Sequence, residues 1–284
     1  MTPIKIAFLS CDNLDGYIVD DDLALQPLKE AGFLVETKPW SASCDWSQYR
    51  AVVVRTTWDY TQKLDEFLVA LEHISSQTQL INDLSIIQWN SKKTYLRDLK
   101  SWGLKIIPTE YSWPSDWSAL FEKWRTETLM VKPQVGASSI NTFKVTRETL
   151  PLRPLFSQGP LVQPFRENIL TEGEFSFHFF YGEFSHAIQK IPKSGDYRVQ
   201  EEYGGNIVSI TPSPEDLELA TTIYKTVEGK LKTPTLFHRV DLVRSPEGEL
   251  EIMELELVEP SLYFRTTPVA APNFANALNR LLAR

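Results

Sequence analysis

Cysteine is scarce: only Cys11 and Cys44 occur in 284 residues. Two thiols cannot build a disulfide framework, and their spacing is not the C-x-x-C of a zinc or redox site. Long apolar runs are missing too. No stretch approaches the ~20 apolar residues of a membrane span. The apolar start IKIAFLS is followed by acidic residues instead of a small-residue cleavage site. Basic excess is also missing. Against 37 Asp and Glu stand 29 Lys and Arg, a net charge of −8, which argues against nucleic acid or an anionic membrane as main partner. No N-x-S/T acceptor occurs, nor do the phosphate motifs G-x-x-x-x-G-K-[ST] and G-x-G-x-x-G. These absences lead to the expectation of a cytoplasmic protein.

The 42% hydrophobic and 23% charged residues are an ordinary globular mix, and the length allows two or three subdomains. Ile4–Ser10 and Ala51–Arg55 are short apolar runs of the kind buried in parallel sheets. Between them LALQPLKEAG predicts a helix, kinked or shortened by Pro27 and stopped by Gly32. A helix over Lys63–Ile74 and a strand at Leu80–Asn82 complete a β-α-β-α-β order, which argues for a small doubly wound sheet. Lys92–Trp102 predicts a further helix, with Gly103 ending it. The middle of the chain is strand-rich: Leu129–Lys132, Thr142–Val145, Leu161–Phe165 and a hairpin over Glu174–Ile191. A long helix over Pro214–Leu231 precedes a last hairpin, Phe237–Val243 and Glu249–Leu257, turned by Ser245-Pro246-Glu247-Gly248. Pro and Ser around 107–118 mark a connection between lobes, which Trp113 and Trp117 are expected to cover.

The last hairpin carries the strongest local signal. Strand alternation places Arg239 and Asp241 on one face of FHRVDLVR, and Glu254 and Glu256 on one face of EIMELELVEP. Three carboxylates on one face raise each other's pKa unless a cation sits among them. Such oxygen ligands suit Mg²⁺ with substrate phosphates, and an exposed, solvated antiparallel face is the alternative. Lys132 ends an apolar strand ahead of the small-residue loop Gly136–Ser139, which fits a phosphate contact or an ordinary hairpin loop. Lys92 and Lys93 open a helix, and by themselves are two exposed lysines. Arg198 ahead of Gly204-Gly205 fits a phosphate contact or a bulged turn.

In this order, Lys93, Lys132, the loop Gly136–Ser139, LVQPF, Arg198 with Gly204-Gly205, R-V-D and E-L-E-x-x-E-P-S resemble the ATP-grasp superfamily, in its glutathione-synthetase and ribosomal-protein glutamate-ligase branch. The resemblance covers residues 88–265. It implies an α/β fold with α+β parts: a small doubly wound domain over 1–88, a central lobe acting as a lid over 89–165, and a C-terminal lobe with the metal site over 166–284. ATP then lies between two antiparallel sheets. The resemblance assigns Lys93, Lys132, Gly136, Ser138 and Ser139 to the nucleotide, and the hinge Gln163, Pro164 and Phe165 to adenine. Arg198 and Arg239 are assigned to the transferring phosphoryl group, and Asp241, Glu254 and Glu256 to Mg²⁺, with two ions and Mn²⁺ as an admissible substitute. The sequence departs from the pattern where Glu256 replaces the usual Asn, and where Glu174-Phe175-Ser176 stands in place of Asp-x-Arg.

VVVRTTWDY, WNSKKTYL, GDYRVQEEYGG and ELELVEPSLYF are also similar to the group around the cycloserine-forming O-ureido-serine cyclo-ligase. That likeness implies an ADP-forming ligase that activates a small, amino-acid-like carboxylate as an acyl phosphate for attack by an amine, and a homodimer. A phosphotransferase and a non-catalytic ATP-binding regulator are the alternatives. Ligands of a doubly wound sheet sit beyond the carboxyl ends of its strands, so Arg55, Trp58 and Tyr60 are expected at the substrate, together with Gly204, Gly205 and Ser261. The alternative pairs Arg55 with Asp59 and packs Trp58 between domains. Asp20–Asp22 reads as a helix N-terminus, Cys11 as a buried inert thiol, and His178 and His186 as a neutral pair across a hairpin. FANALNRLLAR is expected as an amphipathic helix docked on its own domain.

Overall fold

Short apolar strands alternating with helices build a parallel sheet at the start of the chain. The structure, a computed structural model, describes residues 2–151, 156 and 159–283. Strands β1 (Ile4–Ser10), β2 (Phe33–Pro39), β3 (Ala51–Thr56) and β4 (Gln79–Ile81) pair in the order β2-β1-β3-β4, all parallel. The pattern of apolar runs did not reveal β2. It is an edge strand in which only Phe33 is buried, so it has no apolar run to show. Pro27 does shorten the first helix, which splits into a 3-10 turn and α1 (Leu25–Glu30). Helix α2 (Leu64–Ser75) buries Leu64, Phe67, Leu71 and Ile74 against Val52, Val54 and Leu80 of the sheet.

The helix expected over Lys92–Trp102 starts only at Tyr95, and another helix precedes it. Helix α3 (Leu84–Asn90) is capped by Asp83, and α4 (Tyr95–Ser101) follows after a turn. Lys93 therefore does not open a helix. It sits in that turn, where its amide N–H donates to the Gln134 carbonyl at 2.8 Å. Tyr95, Leu96 and Leu99 of α4 share a core with Phe177, Val240, Leu242 and Ile252.

The stretch 107–118 expected as a connection leads into helix α5 (Trp117–Trp124), whose N-terminus is satisfied by the Asp116 side chain accepting from the N–H groups of Ser118 and Ala119. The helix backs a three-stranded antiparallel sheet of β5 (Leu129–Pro133), β6 (Phe143–Val145) and β7 (Pro160–Pro164), ordered β6-β5-β7. Trp113 and Trp117 pack against this sheet's own core, beside Leu120, Phe121 and Val162, so they cover a sheet and not a joint between lobes.

The remaining strands form the five-stranded antiparallel sheet: β8 (Glu174–Phe180), β9 (Glu183–Ile191), β10 (Asn206–Ile210), β11 (Phe237–Arg244) and β12 (Leu250–Glu256), ordered β10-β9-β8-β11-β12. Helix α6 (Pro214–Glu228) begins with a Ser213 cap and packs on it through Ala220, Ile223 and Val227. The final helix, α7 (Ala270–Leu282), was expected on its own domain. It packs there beside Phe180 and Phe237, and its Phe274, Leu278 and Leu281 also join Ile6, Phe8, Phe33, Ala51 and Val53 of the first sheet. A parallel sheet needs both faces covered. Helix α2 covers one, and α1 with α7 covers the other.

Candidate active site

The two antiparallel sheets face each other across a cavity that runs on to the carboxyl end of β3. Lys93, Lys132, Gly136, Ser138 and Ser139 line it, as do the hinge residues Gln163, Pro164 and Phe165. From the five-stranded sheet come Arg239, Asp241, Glu254 and Glu256, and at the far end Trp58, Tyr60 and Ser261. Residues more than 200 positions apart thus share one space.

Strand register explains how the charges meet. Asp241 pairs with Glu254 and Arg239 with Glu256 across β11 and β12, with a bulge after Asp241. Arg239 donates to both oxygens of Asp241, at 2.9–3.1 Å, and to Glu256. Lys93 Nζ lies 2.9 Å from Glu254, and Lys132 Nζ 3.8 Å from it. Each carboxylate of the triad is therefore held by a cation, and among the described residues no three His, Cys, Asp or Glu side chains converge as a ready-made metal cage. Burial opposes ionisation of Asp241 and Glu254, yet Arg239 with Lys190 at the first, and Lys93 with Lys132 at the second, hold both below the usual carboxylate range. Burial pulls the Lys132 ammonium down in pKa, whereas at Lys93 the Glu254 contact outweighs burial and raises it. Lys132 is the more loosely held of the two.

The donor set suits a magnesium–phosphate ligand. Oxygen donors and cations line the same cavity, each paired with the other, and Mg²⁺ takes carboxylates together with phosphates. The loop after β5 is shaped for close approach. Ser138, Ser139 and Asn141 are left-handed at φ 52°, 55° and 57°, a conformation that costs non-glycine residues about 1–2 kcal/mol each and that groups N–H donors into anion-binding concavities. Ser139 Oγ donates to Gln200 at 3.1 Å, and Tyr197 OH to the Thr142 carbonyl at 2.9 Å, which ties the loop across the cavity.

Residues 257–262 form a strap along the cavity wall, outside any helix or strand. Its carbonyls are taken one after another by side chains. Asn82 donates to Leu257 at 2.7 Å, Trp58 Nε1 to Glu259 at 3.0 Å and Arg55 to Pro260 at 3.2 Å. Arg239 donates to Ser261 at 3.2 Å and His186 Nε2 to Leu262 at 3.0 Å. A carbonyl only accepts, so Nε2 of His186 carries the proton. His186 stacks on His178 with centroids 4.1 Å apart, and burial lowers the pKa of both, His186 to about 4, leaving a neutral pair.

A family model for the N-terminal domain of D-cycloserine synthetase DcsG matches residues 6–82. The cycloserine biosynthesis protein DcsG of Streptomyces lavendulae is 30% identical over 285 aligned positions, covering 93% of this chain and 95% of that one. This chain belongs to the D-cycloserine synthetase family of ATP-grasp ligases. The crystal structure of D-cycloserine synthetase DcsG superposes with a TM-score of 0.86 at 28% identity, over 98% of this chain and 99% of that one. The ATP-grasp ligase PsnB, solved with a minimal precursor, Mg and ADP, shares the fold at a TM-score of 0.64 and 14% identity, over 98% of both chains. The ATP-grasp architecture expected from the sequence is thus present, and among the described residues no helix is long and apolar enough to cross a membrane.

Four residues expected in the site of this ATP-grasp ligase lie outside the cavity. Arg55 is 1% exposed, bonded to Asp21 at 2.7 and 2.9 Å and set against the Phe237 and Phe274 rings, so it holds the strap from behind and does not line the cavity. Its partner is Asp21, not Asp59, which instead accepts from Trp40. Arg198 pairs with Asp196 at 2.7 Å and lies over Tyr203, turned from the cavity. Gly204 and Gly205 are absent from the cavity wall too. A side chain at Gly205 would meet the Val199 carbonyl at 2.0 Å, and Gly204 has φ +85°, so the pair serves a tight backbone approach.

Sequence reasoning missed Lys190, Glu174 and Glu259. Lys190 meets Glu174 at 2.6 Å, and Ser176 Oγ donates to Asp241 at 2.5 Å, so Glu174-Phe175-Ser176 joins the cavity's charge network. Alternation along β9 was the available signal for Lys190. Burial and the nearby Glu256 push Glu259 up to about 8. A carboxyl raised in the fold keeps a proton that the unfolded chain releases, so its stabilising effect is full below the ordinary carboxylate pKa and is lost as pH rises towards 8. The melting temperature of ligand-free Glu259→Gln should therefore gain on the parent by several degrees between about pH 5 and pH 8. A pH-independent difference in thermal unfolding would contradict this.

Proposed function

We propose that this ligase binds ATP with Mg²⁺ between its antiparallel sheets and passes the γ-phosphoryl group to the carboxylate of a small amino-acid-like substrate. The acyl phosphate is then attacked by an amine nitrogen. The new C–N bond forms as the C–O bond to phosphate breaks, releasing phosphate beside ADP. The observation that carries this reading is the set of exchangeable ion pairs lining one cavity: Lys93 and Lys132 with Glu254, and Arg239 with Asp241 and Glu256.

In this reading Lys93 and Lys132 leave Glu254 for the phosphates, and Arg239 balances the charge that develops on the transferring group. Asp241, Glu254 and Glu256 are then free to hold Mg²⁺, as two ions with Mn²⁺ as a substitute. The metal supplies charge neutralisation between the phosphates. Phosphoryl transfer asks little covalent chemistry of the protein, so positioning and electrostatics do most of the catalysis. The ties of Ser139 to Gln200 and Tyr197 to Thr142 keep the loop over the cavity, where it excludes water from the acyl phosphate. Trp58, Tyr60 and Ser261 wall the substrate end. The lobe 89–165 acts as the lid between the domain 1–88 and the lobe 166–284, apart from α4, which shares a core with the latter.

The test is ADP and phosphate release with Mg-ATP against a panel of amino acids, with and without hydroxylamine. Trapping an acyl hydroxamate with one acid supports carboxylate activation. A phosphorylated product with no hydroxamate would make the protein a phosphotransferase. Glu254→Gln should raise the Mg²⁺ concentration for half-maximal activity about tenfold or more, the scale of one lost charge-assisted contact. An unchanged metal titration removes Glu254 from the metal site.

A further inference from the structure

The buried carboxylates around the cavity are nearly all matched by cations. Glu174 meets Lys190 at 2.6 Å, Glu254 meets Lys93 at 2.9 Å, and Asp241 and Glu256 share Arg239. Glu259 differs. It lines the same cavity and is only 8% exposed, yet among the described residues no cation lies within 4.0 Å of it. The Tyr60 phenol is its polar neighbour in the cavity wall.

Leaving a carboxyl buried and uncompensated is costly, and this one is not the accident of a loose loop. The strap that carries it is pinned on both sides, by Trp58 at the Glu259 carbonyl itself, Arg55 at Pro260 and Arg239 at Ser261. The surroundings favour a cation. The rings of Tyr17 and Trp58 stand 4.9 Å apart in the same corner, with Tyr60 beside them, and aromatic faces attract ammonium groups. Lys93 and Lys132 line the same cavity as Glu259, and neither pairs with it.

We propose that Glu259 recognises the ammonium group of the amino-acid substrate, in the corner walled by Tyr17, Trp58 and Tyr60, while the substrate carboxylate faces the phosphate-binding cations. This inference rests on the ligase reading above and adds to it the residue that selects the substrate class. The site then takes zwitterionic amino acids and rejects carboxylic acids of the same shape that lack the amino group. The arriving ammonium pairs with Glu259, the buried cavity carboxyl that lacks a cation among the described residues.

The experiment measures acyl hydroxamate formation with Mg-ATP and hydroxylamine for the parent and Glu259→Gln, using amino acids and their des-amino counterparts. Gln is isosteric with the protonated carboxyl and keeps the fold, which an unchanged KM for ATP verifies. The parent should favour amino acids by roughly tenfold or more in kcat/KM, the scale of a hydrogen bond to a charged group. In Glu259→Gln, KM for the amino acid should rise by a similar factor and the preference should vanish. Retained preference in the variant overturns the inference and leaves the ligase reading standing. So does a fall in kcat with KM unchanged, which marks proton transfer instead of recognition. Absence of hydroxamate from every acid with the parent protein overturns the ligase reading, and this inference with it. Thermal shift of the parent with Mg-ADP gives a readout free of turnover: amino acids should stabilise it and des-amino acids should not, and equal shifts overturn the assignment.

Discussion

Lys132→Ala is expected to lower ADP formation by ~10²–10³-fold or more, the loss found when one preorganised charge donor is removed from a site of this kind. Lys132 is the penultimate residue of β5, with its ammonium largely enclosed in the cavity, 3.8 Å from Glu254. Burial lowers its pKa, so it gains from any anion that replaces the solvent it lacks. Lys93 already has a close partner at 2.9 Å and gains less by exchanging it. The expected order of damage is therefore Lys132→Ala above Lys93→Ala, read as KM for ATP and kcat under saturating Mg²⁺. Near-normal turnover by Lys132→Ala would remove it from the nucleotide site.

Arg55→Met should be the most damaging substitution for stability. It leaves Asp21 without its partner and frees the Pro260 carbonyl. Breaking a buried ion pair from one side costs ~3–5 kcal/mol. Asp21 keeps 15% of its side chain exposed, which places the expected loss near the lower end, about 3 kcal/mol. At ~2–4 °C per kcal/mol the melting temperature should drop by roughly 6–12 °C. Adding Asp21→Asn should recover part of it, because the stranded charge is then gone. A melting temperature within a degree of the parent would show that the pair contributes nothing net.

The last hairpin was legible because period-two alternation and a short turn together fix both the face and the register of Arg239, Asp241, Glu254 and Glu256. The lysines and the small-residue loop were legible as types, by order along the chain. The strap was not. Its shape depends on donors from positions 55, 58, 82, 186 and 239, whose convergence no local pattern encodes. Arg55 shows the resulting error. A charged residue closing a buried strand looks like a ligand group, but its partner is Asp21, 34 positions earlier. Arg198 and the two glycines failed for a related reason: a turn that must bring backbones within contact uses the same residue types as a phosphate loop. Strand β2 and helix α5 escaped because one is an edge and the other lies in a stretch rich in Pro and Ser.

The position of α7 sets an order of events during synthesis. The first sheet is complete in hydrogen bonds once residue 81 has been made, yet Ala24 and Leu28 cover only part of the face that carries Phe8, Val53 and Phe33, and Phe274, Leu278 and Leu281 close it once residues 270–282 leave the ribosome. Most of the chain must therefore be translated before the earliest sheet can finish burying its apolar face. In that interval it is a natural client for a holdase chaperone.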